Sequence, residues 1–206
     1  MSVEDRTVQA TTALPTGIAD PAPLGLAAFA ATTFLLSAAN AGWMTKATGD
    51  AWLGYAFAYG GFAQLLAGMW EFRNRNVFGA TAFATYGGFW IGLGLWALLV
   101  APHATSAALA NHDVAWILLT FAIFNTYMLI LSSQSNMAVF GVFLTLELTE
   151  IILFIGNFSG SSGTVKFGGY VGIVTALVAW YASAAGVSNG IAGGKLRFPV
   201  GPALIK

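Results

Sequence analysis

Residues 113–147 read DVAWILLTFAIFNTYMLILSSQSNMAVFGVFLTLE, with no charge between Asp113 and Glu147. An α-helix needs about 20 apolar residues to cross the hydrocarbon core of a bilayer. The run is too long for one crossing and long enough for two. Ser132-Ser133-Gln134-Ser135-Asn136 interrupts it with side chains that favour turns over helix interiors. The stretch predicts two antiparallel spans, at about 114–131 and 138–156, joined by a short polar turn.

The same reading extends in both directions. Asp20 and Lys46 bracket a span at about 23–44, and Asp50 and Glu71 bracket another at about 51–71. Between Arg75 and Asp113, Ala101-Pro102-His103 breaks a long run, leaving a span at about 79–100 and a loop that holds His103 and His112. A Gly- and Ser-rich loop at 156–163 precedes a last span at about 167–187, after which Gly190, Gly193, Gly194 and Pro199 mark a polar tail. The predicted fold class is all-α: an integral membrane protein with six transmembrane helices.

Composition agrees. The chain is 57% hydrophobic and 8% charged, against about 25% charged in an average soluble domain. Lys+Arg and Asp+Glu balance at 8 each, so no basic surface points to nucleic acid. The absence of cysteine excludes disulfides and thiolate chemistry. Residues 1–19 contain Glu4, Asp5 and Arg6 and have no apolar core, so they predict a disordered tail rather than a signal peptide. With the N-terminus inside, the inner segments hold Arg6, Arg73, Arg75, Lys195, Arg197 and Lys206, and the outer loops only Lys46 and Lys166. The positive-inside rule then places both termini in the cytoplasm.

Helices in lipid gain little from hydrophobic burial and pack closely through small residues instead. Gly88-xxx-Gly92 and Gly168-xxx-Gly172 have that spacing. Tyr59-Gly60-Gly61-Phe62 and Tyr86-Gly87-Gly88-Phe89 look alike, as recurring packing chemistry or as an internal repeat.

Polar groups inside apolar spans cost energy unless partnered. Thr32, Thr33, Ser37 and Asn40 lie in the first span, Tyr59 and Gln64 in the second, Tyr86 in the third and Asn125 in the fourth. They are read either as interhelical hydrogen-bond partners or as a narrow polar pathway. Glu147 and Glu150 are the charges well inside a span, and such residues mark ion paths and proton relays or bond a neighbouring helix. His103 and His112 make a poor metal site at their spacing. No nucleophile elbow, phosphate loop or zinc motif is present, so neither enzymatic activity nor a cofactor or metal is expected.

Asp20-Pro21-Ala22-Pro23-Leu24-Gly25-Leu26 resembles the Asn-Pro-Ala-Pro-Leu-Gly-Leu signature of the acetate uptake transporter family, the bacterial acetate/succinate permeases and their fungal ammonia/acetate relatives. The likeness continues through Phe29, Thr32-Thr33 and Asn40-Ala41-Gly42. It is strongest over residues 59–90, YGGFAQLLAGMWEFRNRNVFGATAFATYGGFW, and extends to Ile155-Gly156-Asn157 and Gly169-x-x-Gly172.

The resemblance implies a transport domain over 20–190, followed by a cytoplasmic tail at 191–206. It implies a homo-hexamer in the plasma (inner) membrane with a substrate path in each subunit. That path narrows at Phe29, Tyr86 and Leu146, and Ala179 lines it in the last span. Acetate or a similar small carboxylate, with succinate as a further candidate, would be carried as an anion through a channel or together with protons. Ammonia export and a non-transporting scaffold are the alternatives. Three departures stand out: Asp20 replaces the family's Asn, Ala39 stands where bacterial members often have His, and Glu147 and Glu150 occupy positions expected to be apolar.

Overall fold

The structure is a computed structural model that describes residues 17–45 and 51–205. Most of the expected N-terminal tail (1–16), together with Lys46, Asp50 and Lys206, lies outside the described residues. The chain forms α1 (Ala22–Asn40), α2 (Ala51–Phe57), a π-helical segment (Ala58–Ala63), α3 (Gln64–Arg73) and α4 (Val77–Leu95). A second π segment (Trp96–Val100) and a 3-10 turn (Ala101–His103) extend α4, and α5 (Ala107–Ser132), α6 (Met137–Phe158) and α7 (Ser162–Gly190) complete the bundle.

Caps set the helix starts. The side chains of Asn76, Ser106, Asn136 and Ser161 accept backbone N–H bonds from Gly79, Leu109, Val139 and Thr164, satisfying donors that helix geometry leaves free. These caps correct the sequence reading at two places. Ser106 starts α5 early, so His112 and Asp113 lie in a helix rather than in a loop. Ser161 likewise brings Lys166 into α7. Prolines act as breakers at both ends of the bundle, Pro21 just before α1 and Pro102 in the turn after α4.

Among the described residues, five helices are long and apolar enough to cross a membrane: α1, the run Val77–His103, α5, α6 and α7. The region 51–73 is also helical from end to end, but the π segment divides it. That segment contains Tyr59-Gly60-Gly61-Phe62. A Cβ on Gly60 would lie 2.6 Å from Thr32 Oγ1, so the widened turn presses bare backbone onto α1. The similar Tyr86-Gly87-Gly88-Phe89 is ordinary α-helix, with Gly87 against the backbone of Leu65 and Gly88 open. The two motifs thus do different work.

Helix α1 packs against the 51–73 region on one side and α7 on the other; α7 packs against α6, α6 against α5, and α3 against α4. By contrast, the α4 and α5 backbones barely approach each other. The chain after α7 is not a free tail. Its backbone pairs with α6 and the turn before it, Val200 accepting from Ala138 N (3.0 Å) and Ser133 accepting from Leu204 N (2.9 Å). The Tyr181 hydroxyl donates to Pro199 O.

Candidate functional site

One end of the bundle gathers the N-terminus of α1, the α3–α4 link, the α5–α6 turn and the C-terminal strap. A cavity of about 720 Å³ opens there, lined at its mouth by Asp20, Asn74, Asn76, Gln134, Ser135 and Asn136. Arg73 ends α3 and Arg75 sits on the α3–α4 link, beside that mouth. Polar groups crowd the mouth because these short links are capping segments: Asn76 and Asn136 start α4 and α6. The Asn74 amide turns to the buried Glu71 carboxylate, donating to Oε2 at 3.0 Å, and the Asn76 and Asn136 side-chain oxygens cap α4 and α6.

Deeper in, the lining turns apolar and aromatic, with Leu26, Phe83, Val142 and Phe143, and reaches Phe29, Tyr86 and Leu146. Phe29 lies seven residues into α1, and Tyr86 and Leu146 lie nine into α4 and α6. At 1.5 Å rise per residue, all three sit roughly 10–14 Å below the mouth. The Phe29 and Tyr86 rings meet edge to face with centroids 5.7 Å apart. All three residues are nearly fully buried. Phe89, Phe121 and Phe124 back the Tyr86 ring at centroid distances of 6.1, 6.1 and 5.5 Å.

The Tyr86 hydroxyl leaves this aromatic packing and enters a polar network. It lies 3.1 Å from Asn125 Oδ1 on α5 and 3.3 Å from Glu150 Oε1 on α6. Asn125 Nδ2 donates to Phe143 O (3.0 Å) and to Glu147 Oε2 (2.7 Å). The Thr126 hydroxyl lies 2.7 Å from Glu147 Oε1 and 2.9 Å from Ala122 O on its own helix. Both Glu147 oxygens therefore have a polar neighbour, whereas Glu150, itself buried, keeps Oε2 without a partner. Neither glutamate has a cationic partner: among the described residues no Lys or Arg lies within 4 Å of a carboxylate, and the one close pair is His112 Nδ1 with Asp113 Oδ1 at 3.8 Å.

The remaining predicted positions divide. Gln64 lines the cavity, nearly fully buried, with Oε1 unpartnered. Asp20 stands at the mouth, where its carboxylate accepts from Ala22 N at 2.9 Å. Pro21, Pro23, Leu24 and Gly25 build the start of α1: Gly25 seats the Phe83 ring, and Pro23 O accepts from Ser183 on α7. Ala179 is fully buried in the apolar core that contains the ring. Of the expected path residues only Gln64 lines the cavity; Thr32, Thr33, Asn40, Tyr59, Asn125 and Ala179 do not. Thr32 bonds the backbone of its own helix at Ala28 and packs on Gly60, and the Thr33 hydroxyl is buried without a partner. Asn74, Asn76, Gln134 and Asn136 read in sequence as no more than turn residues. The only signal for them is that amide-rich turns recur at the ends predicted to share one side.

Three comparisons place the chain among known proteins. Acetate permease A of Emericella nidulans is 39% identical over 186 residues, covering 83% of this chain and 62% of that protein. This chain thus spans less than two thirds of that fungal relative's length. The succinate-acetate/proton symporter SatP of Escherichia coli K12 is 34% identical over 175 residues, covering 84% of this chain and 91% of the symporter. The solved structure of the bacterial acetate channel SatP superposes with a TM-score of 0.81 at 32% identity, over 89% of this chain and 99% of the channel. A family model also matches residues 5–192, and on these grounds the chain belongs to the GPR1/FUN34/yaaH family.

Proposed function

We propose that this protein carries acetate or a similar small carboxylate, succinate among the candidates, across the plasma (inner) membrane. The observation that carries the reading is the cavity that narrows from an amide-lined mouth to the Phe29–Tyr86–Leu146 ring, in a chain similar to acetate permease A and to SatP. A carboxylic acid of pKa about 4 is almost wholly ionised at neutral pH and does not cross hydrocarbon unaided. Asn76, Gln134 and Asn136 replace part of the anion's hydration at the mouth, and Gln64 does so deeper in. The ring then passes a methyl group and rejects bulkier acids by size.

The region 51–73 counts as a sixth membrane span in this reading. It is continuously helical, and at 1.5 Å per residue it is about 35 Å long, enough for a bilayer core. Six spans put both termini on the cytoplasmic side, at the mouth of the cavity. A homo-hexamer in membrane lipid follows the family resemblance and fits the exposed Gly88 and Gly92.

A proton accompanies the substrate, and we place it on Glu150 rather than Glu147. The Tyr86 hydroxyl has one proton and two acceptors beside it, Asn125 Oδ1 and Glu150 Oε1. A carboxylic acid at Glu150 supplies the missing donor. Glu147 Oε2 accepts from Asn125 and its Oε1 lies beside a Thr126 hydroxyl that also reaches Ala122 O, so the assignment to Glu150 rests on its buried, unpartnered Oε2.

Uptake of labelled acetate into vesicles holding the purified protein is expected to saturate and to exceed that of empty vesicles. Uptake no greater than in empty vesicles would sink the transport reading, and ammonia efflux from the same vesicles would replace it with export. Accumulation above the external level under a proton gradient is expected of a symporter and not of a channel. Glu150→Gln should flatten the pH dependence of uptake, and an unchanged profile removes Glu150 from proton coupling.

A further inference from the structure

Tyr86 is the one member of the constriction with a polar atom, and that atom is held from outside the helix that carries the ring. Its partner on α5, Asn125, has no exposed surface. The orientation of the Asn125 amide is fixed by what lies beside Nδ2: the Phe143 carbonyl at 3.0 Å and Glu147 Oε2 at 2.7 Å. Turning the amide over would set its oxygen against two other oxygens. Oδ1 is therefore committed to the Tyr86 hydroxyl. Glu147 in turn is braced by Thr126 at 2.7 Å. A chain of hydrogen bonds thus runs from Thr126 through Glu147 and Asn125 to Tyr86, and its far end is a wall of the ring.

We infer that Glu147 is a positioning residue for size selection: acting through Asn125, it holds the Tyr86 ring in the constriction and sets how large a carboxylate passes. This rests on the transport reading above and gives Glu147 a role that proton coupling does not use. Without Glu147, one Asn125 N–H is left buried and unsatisfied. The amide turns to seek another acceptor, its hold on Tyr86 weakens, and the ring swings more freely. A looser ring admits longer acyl chains.

The test compares uptake of labelled acetate and labelled butyrate by the wild-type chain, Glu147→Leu and Glu147→Gln in vesicles. Glu147→Leu should lower the acetate-to-butyrate ratio about tenfold, the order of discrimination that a methylene supplies in an apolar pocket. Glu147→Gln keeps an acceptor for Asn125 and a polar partner for Thr126, so it should keep the wild-type ratio. A role confined to fold stability would lower both rates together and leave the ratio alone. That result, or Gln behaving like Leu, overturns the inference. If Glu147→Leu does not fold, Thr126→Val loosens the same carboxylate and should shift the ratio the same way by less; an unshifted ratio then counts against the inference.

A second readout needs no transport. Thermal unfolding in detergent of Glu147→Leu, Tyr86→Phe and the double variant should give non-additive Tm shifts, because the two residues share one network. Additive shifts break the link. If wild-type vesicles take up neither acid, the transport reading falls and the size-selection claim with it. The unfolding cycle still reports whether Glu147 holds Tyr86.

Discussion

Two helix seams in this bundle are built on opposite principles. Where α3 meets α4, backbones touch: a Cβ on Gly68 would lie 2.5 Å from Ala84 N, and one on Gly87 would lie 2.8 Å from Leu65 N. Where α4 meets α5, the backbones stay apart and side chains fill the gap, with Tyr86, Phe89, Phe121 and Phe124 stacked between them and the Tyr86–Asn125 hydrogen bond at their edge. In lipid, close van der Waals contact holds helices together, and small residues permit it. Large rings do the reverse. They prop two helices open, and the cavity above the constriction lies against that propped side. Small residues close the bundle on one flank so that large ones can leave a path on the other.

The contrast is open to direct attack, most strongly at the closed seam. Gly68→Ala drives a methyl into the Ala84 backbone, which cannot rotate away as a side chain would. The overpacking cost is on the order of 3 kcal/mol, well above the roughly 1 kcal/mol that alanine gains in helix propensity. Thermal unfolding in detergent should show a clear fall in Tm, and no fall would mean the seam is slacker than described.

At the open seam, Tyr86→Phe keeps the ring and its stacking but strands Asn125 Oδ1 and Glu150 Oε1. About 1–2 kcal/mol of destabilisation is expected from the unsatisfied buried groups. A Tm unchanged from wild type would show that the network adds nothing beyond aromatic packing.

The smallest effect belongs to a glycine in neither seam. Gly88 is exposed, and a Cβ added there would meet no atom within 4 Å. Gly88→Ala should stabilise an isolated subunit by up to about 1 kcal/mol through propensity alone. Mass measurement of the detergent-solubilised protein sharpens the point. A drop in oligomer mass for Gly88→Ala would place this outward stripe at a contact between copies, while an unchanged mass would leave it facing lipid.

This example marks how far the spacing of small residues can be read. Gly88-xxx-Gly92 and Gly168-xxx-Gly172 have the same pattern. Gly168 seats Leu153, and Gly172 seats Ser37, so the second pair joins α7 to α6 and α1. A Cβ added at either residue of the first pair meets no described atom within 4 Å. Periodicity tells which residues share a helix face but not what that face meets. The polar residues divided for the same reason. Thr32 and Asn125 both stand in apolar spans, yet Thr32 bonds its own helix at Ala28 with a longer approach to Tyr55 O on α2, while Asn125 ties α5 to α4 and α6. Residue type does not decide the outcome: Asn157 donates to Leu153 O four residues back, while Thr149 meets Thr175 on α7, so the partner depends on what the neighbouring helix brings within reach.

Sequence alone determined the membrane-crossing character of the helices, because charges are expensive in hydrocarbon and their spacing marks where a span begins and ends. It also determined the turns, since capping side chains act locally. Helix ends were less legible: the caps at Ser106 and Ser161 extend α5 and α7 beyond their apolar cores. Only the tertiary structure decided that Tyr86 is gripped from two helices, that both Glu147 oxygens have a polar neighbour while Glu150 Oε2 has none, and that the cavity reaches Phe29, Tyr86 and Leu146. Each of these joins residues on different helices. Such a contact depends on how the helices rotate and approach one another, and that is set by the sum of all their packing contacts rather than by any local stretch of chain.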